Sequence, residues 1–132
     1  MEESINTNPI LMDHFMNPRN MGEMENPDGV GEAQNPVCGD TMRLFIRVEA
    51  NRINDAKFLT FGCSAAIASS SVTTEMIKDK TLEEALLISN QMVTDALGGL
   101  PPTKVHCSVL AEQAIKAAIF DYRRKRDTDD SR

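Results

Sequence analysis

The chain has 132 residues, 41% of them hydrophobic, and a net charge of −6. This length suits one compact domain, which we expect over residues 1–132 with flexible tails at 1–9 and 126–132. The negative charge argues against a nucleic-acid-binding protein, which needs a basic surface to displace counterions from phosphate. No apolar run approaches the ~20 residues of a membrane span, and the acidic N-terminus does not resemble a secretory signal. A cytoplasmic protein without a membrane partner is the simplest interpretation.

The first 36 residues combine a helical pattern with many turn-forming residues. A short amphipathic helix that ends at Asn17-Pro18 is predicted from the apolar residues Ile10, Leu11, Phe15 and Met16. The segment from Asn17 to Pro36 is rich in Pro, Gly and Asn. This composition predicts a long irregular surface connection that contributes little to the core.

A β-hairpin is predicted in the middle of the chain. Apolar and polar residues largely alternate from Met42 to Glu49, which is the period of a strand. Asn51-Arg52 offers a turn, and residues 56–61 read as a second strand that pairs with the first.

Helices are predicted for the rest of the chain. The face from Ala65 to Met76 has helical spacing, and Thr81 with Glu84 forms the signature of a capping box. Gly98-Gly99 ends a further helical stretch, and the last helix runs from about Ser108. Early strands and late helices predict an α+β fold, in which a small antiparallel β-sheet packs against several helices in a single domain.

Three cysteines lie at the boundaries of these elements. Cys38 sits just before the first predicted strand, Cys63 joins the second strand to a helix, and Cys107 precedes the last helix. An odd number of cysteines in a cytosolic chain disfavours a disulfide framework and leaves buried thiols, metal ligands or a nucleophile. Because two of the thiols lie near helix N-termini, the helix dipole favours their thiolate forms.

Asp40 and His106 accompany the cysteines and offer a fourth ligand. Three thiolates with either residue would satisfy a structural zinc ion. A [2Fe–2S] cluster also takes four protein ligands, and an oxygen ligand would hold its soft iron–sulfide core less firmly. Asp40 as a simple turn residue and His106 as a surface histidine remain alternatives at this point.

Several longer motifs occur in a fixed order along the chain. They are His14-Phe15-Met16-Asn17-Pro18-Arg19-Asn20, Asn26-Pro27-Asp28-Gly29-Val30-Gly31, Asn35-Pro36-Val37-Cys38-Gly39-Asp40, Phe61-Gly62-Cys63 with Ala66-Ile67-Ala68-Ser69-Ser70-Ser71, Leu100-Pro101-Pro102-Thr103-Lys104, and His106-Cys107-Ser108-Val109-Leu110-Ala111-Glu112. With these motifs the sequence resembles the IscU and NifU N-terminal scaffold family over about residues 10–125.

The resemblance implies a scaffold rather than an enzyme, which builds a labile [2Fe–2S] cluster and transfers it to apo-proteins. The cluster would be held by Cys38, Asp40, Cys63 and Cys107, with His106 as the alternative fourth ligand. Asp40 is favoured because it shares a tight turn with Cys38. Sulfur would come from a cysteine desulfurase as persulfide, with Cys107 as the candidate acceptor. We further expect Asp40 to keep the cluster labile and so to promote its release.

The segment Leu100, Pro101, Pro102 and Lys104 resembles the sequence that family members present to an Hsp70-type chaperone; the alternative is a plain connector with an extended Pro101-Pro102 loop. A homodimer is among the assembly states that the sequence allows. Because the chain ends at Arg132 without the further domains of full-length NifU, we expect a stand-alone scaffold.

Two competing interpretations belong to other functional classes. A SufU-like sulfurtransferase would use zinc at the same thiolates, but that branch usually carries an insertion and lacks a histidine before the third cysteine, whereas this chain has His106. Zinc could also occupy the scaffold site in isolated protein. A pure interaction module with buried cysteines would make Asp40 dispensable.

Overall fold

The structure, a computed structural model, describes residues 8–35, 39–100 and 106–130, with the backbone alone at 106–108 and 126–130. In chain order its elements are α1 (Pro9–Met16), β1 (Gly29–Gln34), β2 (Thr41–Glu49), β3 (Arg52–Phe61), α2 (Ser64–Ile77), α3 (Leu82–Leu86), α4 (Asn90–Ala96) and α5 (His106–Asp130). Pro9 and residues 126–130 therefore belong to helices, and the flexibility expected of the two tails stays a prediction.

The three strands form one antiparallel sheet in the order β1-β2-β3. Inward-facing side chains of this sheet join helical residues in one large core, whose members include Met42, Leu44, Ile46, Ile53, Phe58, Ile77, Leu97 and Ile115. The predicted α+β class, with a small antiparallel sheet packed against several helices, is confirmed. No helix in the described part of the chain is long and apolar enough to cross a membrane.

The hairpin between β2 and β3 differs in detail from the prediction. Its two turn residues are Ala50 and Asn51, whose φ angles are 52° and 65°. Two successive positive φ angles are typical of a type I′ turn, which suits the right-handed twist of paired strands. Arg52, predicted as a turn residue, already starts β3, so the second strand begins four residues before Ala56.

The segment predicted as an irregular connection contains a strand, and that prediction was wrong for Gly29–Gln34. Along β1 the buried positions are Gly29, Gly31 and Ala33. A side chain at either glycine would collide with the backbone of α5, at Ala118 for Gly29 and at Ala114 and Ala118 for Gly31. Because the helix packs directly on bare strand backbone, the buried face of β1 has no large apolar residues, and the usual alternation is hidden.

Helix α2 lies in the middle of the molecule and is buried on almost all sides, although many of its residues carry hydroxyl groups. The Ser71 hydroxyl is 2.8 Å from His14 Nδ1 and accepts the Arg19 amide at 2.9 Å. One turn further along the same helix, Thr74 accepts a hydrogen bond from Asn20 at 3.1 Å. These buried hydroxyls hold the segment that follows α1 against α2. They explain why the motif at residues 14–20 is polar and yet specific.

The predicted helix boundaries hold at α3 and α4. Thr81 and Glu84 form a complete capping box, with Glu84 N to Thr81 Oγ1 at 3.1 Å and Thr81 N to Glu84 Oε1 at 2.9 Å. After α4, Gly98 and Gly99 have φ angles of 82° and 104°, which only glycine adopts readily.

Burial of His14 predicts a specific loss of stability in mild acid. Desolvation lowers the pKa of His14 below its ordinary value near 6.5, and nearby Arg19 adds to this, while Glu75 and Asp13 oppose it. Above that pH both states of the protein hold a neutral imidazole. As the pH falls below 6.5 the unfolded chain binds a proton that the folded state refuses, so the free energy of unfolding decreases.

We therefore expect chemical denaturation to show a falling free energy of unfolding between pH 7 and 5.5, by at most about 1.4 kcal/mol per pH unit for one proton. In His14→Gln, which retains a polar group facing Ser71 but cannot titrate, this decrease should be smaller. An equal decrease in both proteins would show that His14 is not its source.

Candidate functional site

One end of the sheet collects the chemistry-bearing residues. β2 begins at Thr41 and β3 ends at Phe61, and these two residues are paired in the antiparallel register. Asp40, just before β2, and Cys63, shortly after β3, therefore lie at the same end of the sheet. Residues 23 positions apart in sequence are brought together by the hairpin alone.

Asp40 and Cys63 are in direct contact. The Cys63 Sγ lies 3.7 Å from Asp40 Oδ2, and the aspartate is only 8% exposed. A thiolate and a carboxylate this close would repel each other across a partly desolvated gap. In the structure the Cys63 thiol donates a weak hydrogen bond to Asp40. A cation bound by both groups would remove the repulsion of the thiolate form, so the pair also has a geometry suited to two metal ligands.

The turn before Asp40 is closed by backbone hydrogen bonds. The Asn35 amide donates to the Asp40 carbonyl at 2.9 Å, and the Gly39 amide donates to the Asn35 carbonyl at 2.7 Å. Gly39 has a φ of 77°, a conformation that disfavours any residue with a Cβ. The tight turn expected around Asp40 is thus present at its described positions, while Cys38 lies outside the described residues.

Cys63 is the N-cap residue of α2. Its extended backbone (φ −76°, ψ 174°) starts the helix, and its carbonyl accepts the Ile67 amide at 3.1 Å. Its side chain makes no capping hydrogen bond to the first turn. The positive end of the helix dipole therefore lies beside the sulfur and favours its anionic form, as expected from the sequence.

Helix α5 points its N-terminus at the same end of the sheet. Gly29 of β1 lies against Ala118 and Tyr122, whereas Gly31 lies against residues 114–118, so the helix runs antiparallel to the strand. Continuing this progression places the first turn of α5 beside the end of β1, next to the turn that holds Asp40. The helix begins at His106 rather than near Ser108.

Cys107 consequently belongs to the first helical turn instead of preceding the helix, which corrects the predicted boundary. The sequence signals did not mark this start because the residues before it, Pro101 to Val105, combine helix-breaking and β-branched residues. The backbone positions of His106 and Cys107 are compatible with membership of the site. Only the backbone of these two residues is described.

The predicted chaperone segment is described only at its first residue. Leu100 is partly buried and packs with Cys63 around Ala65 and Ala66 at the start of α2. Pro101, Pro102 and Lys104 lie outside the described residues. The start of this segment therefore adjoins the cysteine site, and its role in partner binding stays a prediction.

Gly62 is the residue of this site that the sequence analysis did not single out. A Cβ at this position would lie 2.7 Å from Asp40 Cγ and 2.8 Å from Asp40 Oδ1. The signal that could have identified it is its position between a strand end and a cysteine, where a bare backbone allows another group to approach closely.

Comparison with known proteins agrees with this geometry. Residues 6–129 match the model of the NifU-like N terminal domain. The chain belongs to this family. It is 58% identical over 115 residues to the iron-sulfur cluster assembly scaffold protein IscU 1 of Archaeoglobus fulgidus, a match that covers 87% of this chain and 75% of the relative. It is 54% identical over 120 residues to IscU of Azotobacter vinelandii, covering 88% and 93% of the two chains.

Solved structures of the family have the same fold. A putative iron-sulfur cluster assembly scaffold protein for the SUF system from Fervidobacterium islandicum superimposes with a TM-score of 0.71 at 26% identity, covering 84% of this chain and 94% of that one. A NifU-like N-terminal structure from Brucella abortus gives a TM-score of 0.76 at 18% identity, covering 89% and 94%, which supports the fold alone. The resemblance to the IscU and NifU N-terminal family is confirmed.

Proposed function

We propose that this protein is a scaffold, not an enzyme, on which an iron–sulfur cluster is assembled before transfer to apo-proteins. The proposal rests on one observation, the contact of Asp40 with Cys63 at the end of the sheet where α5 begins. The IscU relatives, more than half identical over most of the chain, are named as scaffolds for this process.

The proposed cargo is a [2Fe–2S] cluster held by Cys38, Cys63 and Cys107 with Asp40 as the fourth ligand. Support comes from the 3.7 Å separation of Asp40 Oδ2 and Cys63 Sγ, which one metal ion could span after a small adjustment. The hard carboxylate oxygen is a weak ligand for a soft iron–sulfide core, so one corner of the cluster is held loosely. His106, next to Cys107 in the chain, is the alternative fourth ligand.

Sulfur would reach the site as sulfane sulfur from a cysteine desulfurase. Two sulfane sulfurs need four electrons to become two sulfides, and oxidation of two ferrous ions to the ferric state supplies two of these. The remaining two must come from a separate electron donor of the ferredoxin class. The thiolates of the chain would bind the iron and receive the sulfur.

Cys107 is the proposed persulfide acceptor, since its backbone lies in the first turn of α5, where the helix dipole favours a thiolate nucleophile. After incubation with a desulfurase and cysteine, mass spectrometry of the digested protein should find the additional sulfur atom on the peptide that contains Cys107. In Cys107→Ser the persulfide yield should fall to background. A persulfide located mainly on Cys38 or Cys63 would contradict this assignment.

The remaining proposals concern partners and location. Apo iron–sulfur proteins would be the recipients, and Leu100 with Pro101, Pro102 and Lys104 would be the segment offered to an Hsp70-type chaperone. A homodimer and a cytoplasmic location complete the proposal.

Anaerobic reconstitution tests the proposed function against the zinc-dependent sulfurtransferase. With ferrous iron, cysteine, a desulfurase and a reductant, the scaffold should develop visible charge-transfer absorption and contain iron and sulfide in equal amounts. A protein that stays colourless, retains zinc in the presence of excess iron and passes on only sulfur would support the sulfurtransferase instead. Bound zinc in the isolated protein does not separate the two, because both functions use the same thiolates.

A further inference from the structure

Gly62 lies directly across from Asp40 at the open end of the β2–β3 pair. Thr41 pairs with Phe61, so Asp40 and Gly62 are the residues that adjoin this last pair on the two strands. A glycine precedes each of the two described ligand candidates in sequence, Gly39 before Asp40 and Gly62 before Cys63.

The two glycines serve different physical needs. Gly39 has a φ of 77°, and a Cβ built there would meet no atom within 4 Å, so its backbone conformation is what requires glycine. Gly62 has no positive φ, but its Cβ would lie 2.7 Å from Asp40 Cγ, 2.8 Å from Asp40 Oδ1 and 3.1 Å from Ala66 Cβ. Separations below 3.0 Å essentially never occur for real Cβ atoms. The Asp40 carboxylate fills the space that a side chain at 62 would take.

We infer that Gly62 is a positioning residue for Asp40: the missing side chain leaves room for the buried carboxylate beside Gly62, where it lies 3.7 Å from the Cys63 sulfur. A methyl group at 62 is compatible with the local backbone, so the strain falls on the carboxylate, which must swing away. Ala66 Cβ, 3.1 Å from the position of the added methyl group, limits how far that group can itself move away. The consequence for cluster handling rests on the proposed function, whereas the steric coupling of Gly62 and Asp40 does not.

A double-mutant cycle on the full chain tests this coupling. The four proteins are the native chain, Gly62→Ala, Asp40→Ala and the double variant, each reconstituted and mixed with an apo-ferredoxin. If Gly62 acts through the carboxylate, Gly62→Ala alone should slow cluster transfer about tenfold, as expected for loss of an oriented metal-site group. In the Asp40→Ala background, where the clashing carboxylate is gone, the same change should alter the rate by less than about twofold.

Two outcomes would overturn the inference: a native transfer rate in Gly62→Ala, or effects that multiply to about a hundredfold in the double variant. Titration of the apo-proteins with Co²⁺ gives a second readout that does not depend on cluster assembly. The absorption bands of bound Co²⁺ report the ligand set, so Gly62→Ala should match Asp40→Ala and differ from the native protein.

The two tests separate this inference from the proposed function. Failure of the native chain to assemble a cluster would reject the function but leave the Co²⁺ comparison intact. Far-UV circular dichroism and thermal melting of all four proteins establish that each one is folded, so that a slower transfer reflects the site. Identical Co²⁺ spectra for the native protein and Gly62→Ala would reject the positioning role even if a cluster forms.

Discussion

Replacing Asp40 with alanine should slow release of the cluster to an acceptor by about tenfold. The carboxylate oxygen is the weakest of the proposed ligands, so an incoming acceptor thiolate displaces it first. Without Asp40 the open position falls to a softer ligand such as His106, and this easily displaced corner of the cluster is lost. Stopped-flow or circular-dichroism measurement of transfer to apo-ferredoxin checks this expectation.

Asp95→Ala is the matched control for that experiment. Asp95 lies on the exposed surface of α4, and its carboxylate accepts a hydrogen bond from Gln91 at 2.9 Å. Removing it takes away one negative charge without touching the site, so the transfer rate should stay native. An unchanged or faster rate in Asp40→Ala, at equal cluster loading, would reject the role of Asp40 in release.

Replacing Gly31 with alanine should destabilise the whole fold by roughly 3 kcal/mol, at the upper end of the cost of overpacking a core. The new methyl group would overlap backbone atoms of Ala114 and Ala118, and backbone cannot rotate away as a side chain can. Helix α5 would have to move off the sheet, and the core residues that it contributes would lose contacts. For a domain of this size we expect the midpoint of thermal unfolding to fall by about 10 °C.

Val30→Ile serves as the control on the same strand. It also adds one methyl group, but Val30 lies on the opposite, partly exposed face of β1. The free energy of unfolding should change by less than about 0.5 kcal/mol, the usual range for a surface substitution. Equal destabilisation by the two substitutions would show that the contact of α5 with β1 is not the special feature.

Regular patterns made the central elements predictable. Apart from Phe45, which is also buried, β2 carries the alternation that a half-buried strand requires, and Thr81 with Glu84 encodes the capping box of α3 within four residues. β1 escaped prediction because its inward positions are Gly29, Gly31 and Ala33, whose small size is dictated by a helix almost 90 residues further along the chain. Close approach of two backbones is a tertiary property, and no local window of sequence reports it.

The candidate site could be predicted only in part from the sequence. Cys63 and Asp40 could be predicted as site residues because each lies next to the end of a predicted strand. The hairpin register brings them together. The role of Gly62 could not be predicted in the same way, because it depends on where the Asp40 carboxylate points after the two strands pair. The start of α5 was also missed: the helix begins at His106, two residues before the predicted start near Ser108.

The most direct test of the central claim is transfer of a preassembled cluster. The reconstituted protein, freed of unbound iron and sulfide by gel filtration, would be mixed anaerobically with a stoichiometric amount of apo-ferredoxin in the presence of an iron chelator. The scaffold account predicts that the visible circular-dichroism signal converts to that of the ferredoxin, because the cluster passes between thiolates without entering solution. If the chelator captures the iron and the ferredoxin stays in its apo form, the protein does not act as a cluster-transferring scaffold.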